Sequence, residues 1–164
     1  MLHQDKVVLV NSQLAKENDT GEPGTSHILA FDKADGKVAW KTELAATSTC
    51  YAVPCVLKMN GKPDQLIGAN RGNGFYSIDP ESGAMNWNEK LIRMRTVASP
   101  IVAGGLLFAS SGSGGGGNTL VAMKPNEKSG GEKVYEHASA ANYVPTPIAV
   151  GKYLFSFGDK GVLT

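Results

Sequence analysis

The sequence has 164 residues, of which 41% are hydrophobic and 20 residues are glycine, and its formal net charge is +1 at pH 7. This length is sufficient for one domain with a substantial core, and the near-neutral charge excludes strong electrostatic attraction to nucleic acid or to an anionic membrane. No apolar run is long enough to cross a bilayer, so membrane insertion is not expected. The glycine content favours a turn-rich β protein over a helical one.

The first clear element is a β-hairpin predicted over residues 28–44, ILAFDKADGKVAWKTEL. Asp32 can accept hydrogen bonds from the backbone N–H groups ahead of it, and Gly36 can adopt φ > 0 at little steric cost, so the centre of the segment predicts a tight turn. After the turn, Val38 and Trp40 begin a run of alternating apolar and charged residues, which predicts a half-buried strand.

The two cysteines follow this hairpin, in the segment CYAVPC. If the segment is extended, Cys50 and Cys55 lie roughly 17 Å apart, which is too far for a disulfide. A turn could bring them together, but Val53 and Pro54 indicate the start of a strand. We expect free, packed thiols, and the redox compartment stays undecided.

The hairpin pattern recurs along the chain. Residues 75–91 read FYSIDPESGAMNWNEKL, and Trp87 follows Trp40 by 47 residues. A third, looser copy places Tyr135 another 48 residues on, four residues after Gly131. This regular spacing indicates an internal repeat rather than isolated hairpins.

A series of prolines has the same period. Pro54, Pro100 and Pro147 lie 46 and 47 residues apart, and each precedes a short apolar stretch, a turn containing glycine and a second apolar stretch. One period therefore predicts four strands, here labelled A to D, in which A follows the proline and D carries the aromatic residue. Four-stranded units that repeat every 40–50 residues or so are typical of β-propellers, in which each unit is one blade.

The predicted fold is thus an all-β segment of a β-propeller, with about 3.5 four-stranded antiparallel blades and a period of about 47 residues. The predicted blades span residues 1–48, 49–95, 96–141 and, as a partial blade, 142–164. The first is expected to supply only strands B to D, over residues 6–44, and the last only strands A and B. Because closed propellers typically contain four to eight blades, we expect a fragment of a longer chain, with the remainder of its own propeller as one partner.

Residues 30–40, AFDKADGKVAW, resemble the tryptophan-docking motif of the pyrrolo-quinoline quinone (PQQ)-like β-propeller repeat family, in which Ala, Asp, Gly and Trp occur at fixed spacing. The residues assigned to this motif in the three copies are Ala30, Asp32, Gly36, Trp40, Asp79, Gly83, Trp87 and Tyr135. Ser77 replaces the alanine in the second copy, and Lys124 replaces the aspartate in the third. The resemblance implies that each aromatic side chain packs against the neighbouring blade, which is a structural role.

The resemblance implies two kinds of function. Many members of the family bind no quinone and serve as protein-interaction platforms in bacterial envelopes, whereas PQQ-dependent dehydrogenases use the same scaffold with PQQ and calcium. The alcohol-oxidising dehydrogenases typically add two adjacent cysteines and acidic calcium ligands. Cys50 and Cys55 are not adjacent, and no acidic set can be assigned.

We therefore predict a non-enzymatic scaffold that binds a protein or a small ligand, with no catalytic residue, cofactor or metal. One alternative is a fragment of a quinoprotein dehydrogenase, with PQQ and calcium, whose catalytic residues lie outside this segment; another is a purely structural spacer. The compartment is not determined by the residues, and family analogy alone favours a bacterial periplasmic or other extracytoplasmic location.

The segment GSGGGG at residues 112–117 formally contains the spacing G-x-G-x-x-G after a predicted strand. The residues that follow, NTLVAM, predict another strand rather than a helix, so no helix N-terminus is available for a phosphate. We expect a loop between strands B and C.

Propeller topology predicts where a partner would bind, because the D–A and B–C loops emerge on one face and the A–B and C–D loops on the other. The candidate partner-binding residues on the first face are Tyr51, Asn70, Arg71, Asn73, Arg93, Arg95, Asn142 and Tyr143. Tyrosine and arginine are enriched in protein interfaces. The alternative is that these residues are solvated loops and caps for strand ends.

The first prediction concerns the cofactor. Titration of the chain with PQQ in the presence of Ca²⁺ should produce no stoichiometric complex and no dye-linked alcohol oxidation, because the adjacent cysteines and acidic ligands of the dehydrogenases have no counterparts here. Isothermal calorimetry with PQQ and Ca²⁺ together checks this. A tight one-to-one complex would make the dehydrogenase fragment the better interpretation.

Overall fold

The regular secondary structure is entirely β in the computed structural model of this chain, which describes residues 1–13, 25–45, 48–126, 130–138 and 141–164. These residues form fourteen strands and no helix. In the same residues there is accordingly no helix long and apolar enough to cross a membrane. The all-β prediction is confirmed.

The strands pair antiparallel into three four-stranded sheets and one two-stranded sheet, with the strands of each sheet in chain order. Sheet 1 contains β1 (Leu2–His3), β2 (Lys6–Asn11), β3 (Ser26–Asp32) and β4 (Val38–Leu44). Sheet 2 contains β5 (Cys55–Leu57), β6 (Gln65–Asn70), β7 (Gly74–Ile78) and β8 (Met85–Glu89). Sheet 3 contains β9 (Ile101–Ala103), β10 (Leu106–Ser111), β11 (Thr119–Asn126) and β12 (Gly130–His137). Sheet 4 contains β13 (Ile148–Val150) and β14 (Tyr153–Phe155).

The proline series marks the start of a sheet, as predicted. Strands β5, β9 and β13 begin directly after Pro54, Pro100 and Pro147. Between β9 and β10 the chain reverses through Gly104 and Gly105, whose φ angles of 55° and 76° lie in the left-handed region that favours glycine. The A–B hairpins therefore form where sequence periodicity and turn chemistry agree.

The first sheet differs from the prediction, because it has a strand A. Leu2 pairs with Val7 and His3 with Lys6, and the terminal amino group of Met1 donates a hydrogen bond to the carbonyl oxygen of Val8. A two-residue turn in which Gln4 has φ 52° makes this hairpin possible. A strand of two residues carries no measurable periodicity, which is why the sequence pattern did not indicate it.

Each four-stranded sheet contains a β-bulge between strands C and D at an equivalent position. The pairing register shifts at Ala30/Phe31, at Ser77/Ile78 and at Ala122/Met123. The consequence is that a bulky aromatic residue of strand D always lies opposite a small residue of strand C. These pairs are Trp40 with Ala30, Trp87 with Ser77 and Tyr135 with Ala122. The small residue of the repeat is thus explained by the space that the aromatic ring occupies beside it.

The turn between strands C and D depends on an aspartate. Asp79 Oδ1 accepts hydrogen bonds from the backbone N–H groups of Glu81 and Ser82, at 2.9 and 2.7 Å. These hydrogen bonds hold the pKa of the Asp79 carboxyl below its usual value, because they stabilise its charged form. The bond from the backbone N–H of Ser82 has the largest effect. In sheet 1, Asp32 accepts the N–H of Ala34 in the same way. The turn chemistry predicted for this motif is confirmed.

The core lies between neighbouring sheets and forms three clusters. The cluster between sheets 1 and 2 contains Val8, Ile28, Ala30, Trp40, Leu44, Leu66, Tyr76 and Ile78. The cluster between sheets 2 and 3 contains Leu57, Ile67, Ala69, Phe75, Trp87, Ile92, Leu107, Ala109, Val121 and Met123. The cluster beside sheet 4 contains Phe108, Leu120, Ala122 and Ala141, with Leu154 packed against it. Each inner sheet therefore buries both faces, which is the packing of successive propeller blades.

Trp40 makes the most specific contact between sheets 1 and 2. Its ring lies over Gly83, where a Cβ atom would stand 2.7 Å from the indole, and its N–H donates a 3.0 Å hydrogen bond to the carbonyl oxygen of Pro80. The hydroxyl of Thr42 donates to the carbonyl oxygen of Gly83. Since Gly83 also has φ 75°, any other residue would be strained and would collide with the ring.

The other two aromatic residues of the repeat have different surroundings. Trp87 is buried among residues of sheets 2 and 3, but its N–H donates to the side chain of Gln65 in its own sheet. Tyr135 is 43% exposed and touches Phe108, with ring centroids 6.2 Å apart. Sheet 4 has two strands in the described residues, and these residues contain no C–D turn of that sheet that would correspond to the turn of Gly83.

An ion pair also crosses from sheet 1 to sheet 2. Lys6 Nζ lies 2.9 Å from Glu81 Oε2 and 2.9 Å from Asp5 Oδ1. Hydrogen bonds to Glu81 and then to Asp5 raise the pKa of Lys6, because they favour its charged form. Glu81 lies in the same turn as Pro80 and Gly83, so this turn contacts sheet 1 through apolar, hydrogen-bonded and ionic groups.

A prediction about stability follows from the unequal burial of the aromatic residues. Trp40→Ala should lower the free energy of unfolding by about 3–5 kcal/mol, whereas Tyr135→Ala should cost about 1 kcal/mol or less. Urea unfolding followed by circular dichroism measures both losses, and Trp40→Phe gives a milder variant if the alanine variant does not fold. Equal losses for the two alanine variants would contradict the role given to the Gly83 contact.

The exposed apolar side chains of sheet 4 and of Phe157, which follows it, generate a third prediction. Ile148, Val150, Tyr153, Phe155 and Phe157 are exposed by 65, 60, 61, 41 and 51%. Uncovered apolar strands recruit other chains, so the isolated chain should associate as its concentration rises. Tyr153→Glu combined with Phe155→Lys should reduce this association, and Ala34→Glu in an exposed turn should not. Sedimentation velocity across a concentration series decides, and a monomer at all concentrations would refute the expectation.

Candidate partner-binding face

The candidate face is formed by the D–A connections, which join one sheet to the next, and by the B–C loops. Contacts between these segments place them side by side. The backbone N–H of Ala45, after β4, donates to Asn73 in the B–C loop of sheet 2, and the N–H of Gly112 donates to the carbonyl oxygen of Arg95. Most of the B–C loop of sheet 1, residues 14–24, lies outside the described residues.

The D–A connections are joined to each other by hydrogen bonds that repeat with the sheets. The N–H of Val53 donates to Ser99 Oγ at 3.1 Å, and the N–H of Ser99 donates to Thr146 Oγ1 at 3.1 Å. Each of these residues immediately precedes a strand-A proline. Two further bonds of this kind run from the N–H of Tyr51 to the carbonyl oxygen of Thr96 and from the N–H of Ala98 to that of Tyr143.

This hydrogen-bond ladder was not predicted, although its signal is present in the sequence as the hydroxyl residue before Pro100 and Pro147. It satisfies backbone groups that no strand pairs. The connections are therefore held in place by the main chain and by hydroxyl groups, which leaves other side chains on them available to solvent or to a partner.

Two of the candidate residues, Asn70 at the end of β6 and Asn73 in the B–C loop of sheet 2, point into the protein rather than out to solvent. Asn70 Oδ1 accepts the backbone N–H of Asn73 at 2.6 Å, and its amide nitrogen donates to Asn73 Oδ1 at 3.1 Å. Both side chains are buried. They close the turn and, through Ala45, tie it to the preceding sheet.

Asn142 is also buried, between sheets 3 and 4. Its amide nitrogen donates to Ser110 Oγ and to the carbonyl oxygen of Pro145, and its oxygen accepts a hydrogen bond from Ser156 Oγ at 2.9 Å. An asparagine side chain can donate and accept at once, and so it can satisfy several buried groups. The three asparagines therefore shape the loops and contribute no exposed recognition group.

The remaining candidate residues reach the surface to different extents. Tyr51, Arg71 and Arg93 are exposed, and Arg95 and Tyr143 are half-buried. Arg95 and Tyr143 also use their carbonyl oxygens in the hydrogen bonds between neighbouring segments. Within the described part of the chain, none of the three guanidinium groups forms an ion pair. The charge of Arg93 nevertheless acts on Glu136, whose pKa is lowered mainly by its hydrogen bond to Lys133 and to a smaller extent by Arg93.

The described residues do not fit the PQQ and calcium site of the dehydrogenases. Cys50 and Cys55 are both free, and burial raises the pKa of the Cys55 thiol to about 11, which keeps it protonated at neutral pH. No group of three or more His, Cys, Asp or Glu side chains in the described residues could hold a metal ion.

The segment GSGGGG forms a B–C loop in sheet 3, as expected. The strand β11 begins at Thr119, directly after the loop, so no helix follows it. The loop borders a cavity of about 550 Å³ on the candidate face.

Solved structures show the same fold. BamB from Moraxella catarrhalis matches with a TM-score of 0.54 and 18% sequence identity, over 90% of this chain and 46% of that chain. This chain therefore spans a little under half of the length of the protein that it matches, and at this identity the likeness concerns the fold alone. No curated protein sequence matches the chain.

A family model covers the whole sequence. The model PQQ_2, described as outer membrane protein assembly factor BamB, matches residues 1–164. This match agrees with the repeated aromatic and glycine positions, with the four-stranded sheets and with the structural likeness. The chain belongs to this family of PQQ-like β-propeller proteins.

Proposed function

We propose that the chain is a non-catalytic β-propeller scaffold that binds a partner protein through the face formed by its D–A and B–C loops. The observation that carries this proposal is that the residues that order the loops of this face differ from those that extend from it. Buried asparagines and the hydrogen-bond ladder hold the loops, while Tyr51, Arg71 and Arg93 extend from them into solvent.

This arrangement suits protein binding for physical reasons. Tyrosine and arginine are the side chains that contribute most often to binding energy at interfaces, since they combine large contact areas with hydrogen-bond donors. Loops that are already ordered lose little conformational entropy on association, which preserves more of the contact energy. The half-buried Arg95 and Tyr143 would lie at the edge of the same surface.

The family supports a location and a class of partner. Its model is described as an outer membrane protein assembly factor, so we infer a bacterial extracytoplasmic protein, periplasmic in the simplest case, whose partner is a component of the envelope.

The repeat residues take the structural role in this proposal. Trp40 and Trp87 dock successive blades, with boundaries near residues 48, 95 and 141, and the turns at Gly36 and Gly83 complete equivalent corners of neighbouring blades. In a complete propeller, Tyr135 would be covered by a further turn of this kind. Cyclic repetition of the contact would then rigidify the loop face.

The proposed function predicts that cross-linking depends on the face. A photo-reactive amino acid at Tyr51 or Arg71 should capture an envelope protein in cells that produce the chain, whereas the same amino acid at Ala34, in an exposed C–D turn, should not. The captured protein, once purified, should bind the chain in calorimetry, and Arg71→Glu with Arg93→Glu should weaken its affinity about tenfold or more. Lys33→Glu with Lys37→Glu is the matched control. Equal capture from both faces would contradict the proposal.

A further inference from the structure

The glycine-rich loop departs from the repeat. The B–C loop of sheet 2 is a three-residue turn, residues 71–73, whereas that of sheet 3 spans residues 112–118 and contains five glycines. Structural requirements of a blade recur in every blade, so a loop of special composition needs another explanation. Turn geometry explains Gly116 and Gly117, whose φ angles are 109° and 75°, and a Cβ atom at Gly112 would collide with Asn118 Oδ1. It does not explain Gly114 and Gly115, which have no φ in the left-handed region.

Because the glycines of this loop have no side chains, the loop leaves open space beside it. A Cβ atom at Gly114 or Gly116 would meet no atom within 4 Å, so these positions border open space. That space is the cavity of about 550 Å³, which is within the range of roughly 300–1,000 Å³ typical of ligand sites. The apolar part of its lining comes from Ala138, Ala141 and Val162, in addition to the glycines.

Two polar side chains hold the walls of the cavity together. Asn118 Nδ2 donates to Asp159 Oδ2 at 3.2 Å, which joins the B–C loop of sheet 3 to the turn that follows β14. Asp159 Oδ1 accepts the backbone N–H of Val144 at 3.1 Å, and Asn118 Oδ1 accepts that of Ser113. Both oxygens of Asp159 are thus occupied, and the width of the cavity is set by hydrogen bonds.

Lys160 places a positive charge at this cavity that no carboxylate of the described residues pairs with. It lines the cavity beside Asp159 and forms no ion pair with the described residues. Its ammonium group can therefore pair with an anionic group of an occupant. A phosphate is disfavoured, because a single lysine faces it, no helix N-terminus is present and the Asp159 carboxylate is adjacent.

We propose that this cavity receives one bulky apolar side chain from a loop of the partner protein, with a neighbouring carboxylate of the partner paired to Lys160. The inference rests on the proposed function and assigns its anchoring site. Interface energy concentrates where a large side chain enters a desolvated pocket surrounded by a polar rim. Alanine, valine and glycine backbone supply the pocket here, and Asn118, Asp159 and Lys160 supply the rim.

The test uses a minimal probe, N-acetyl-Phe-Glu-amide, and ¹⁵N NMR of the whole chain. Titration should shift the backbone signals of Ser113, Asn118 and Val162, with a dissociation constant near or below about 1 mM. N-acetyl-Gly-Gly-amide should shift none of them. N-acetyl-Phe-Lys-amide should bind about threefold or more weakly than the glutamate probe, because its charge is repelled by Lys160.

Three variants test whether the probe binds in the cavity. Gly115→Phe should fold normally, since a Cβ there meets only Ser113 Oγ at 3.7 Å, and it should weaken binding of the glutamate probe at least tenfold by filling the space. Ala34→Phe adds the same ring to an exposed C–D turn and should leave binding unchanged. Lys160→Glu should reverse the preference between the glutamate and lysine probes.

Absence of binding, or equal binding to the wild-type chain and to Gly115→Phe, would overturn the cavity proposal. An unchanged preference between the two charged probes in Lys160→Glu would overturn the role given to the lysine. Neither result would touch the face-dependent cross-linking at Tyr51 and Arg71, so failure of the anchoring site is distinguishable from failure of the proposed function.

Discussion

The contact between the Trp40 indole and Gly83 is the constraint on which the arrangement of the first two sheets depends. A glycine turn and an aromatic ring from different sheets occupy space that a single Cβ atom would close. The contact needs the aspartate that shapes the turn, the bulge that places the ring opposite Ala30, and the indole hydrogen bond to Pro80. The bulge recurs in all three four-stranded sheets, whereas the aspartate, glycine and tryptophan occur together only in the first two copies of the repeat, and Trp87 bonds to Gln65 instead of to a following turn.

The aromatic residue of strand D makes different contacts in each copy of the repeat. Trp40 donates a hydrogen bond to the next sheet, Trp87 donates one to Gln65 of its own sheet, and Tyr135 is 43% exposed. A repeated sequence motif therefore states where an aromatic residue lies in a blade. What that residue contacts depends on the turn that the following sheet presents.

On the candidate face, the groups that order the loops are separate from the side chains that reach solvent. Backbone groups of the D–A connections bond to each other and to the hydroxyls of Ser99 and Thr146, so the loops need no large side chains for their order. Exposed tyrosine and arginine residues, and a cavity bordered by glycines, can then vary without loss of the ladder. Loops whose order does not depend on their exposed side chains are typical of folds that carry different functions.

The sequence by itself determined the strands, the turns and the position of each aromatic residue, because turn chemistry and alternation act over a few residues and the repeat shows each signal several times. It did not reveal β1, which is too short to have a period, and it placed Asn70, Asn73 and Asn142 on the surface. Only the tertiary structure decided their burial. Asn142 forms hydrogen bonds with Ser110 and Ser156, which are 32 and 14 residues away in the chain. A side-chain amide can bond equally well to water or to a distant hydroxyl, so the neighbouring residues in the sequence do not indicate which partner it has.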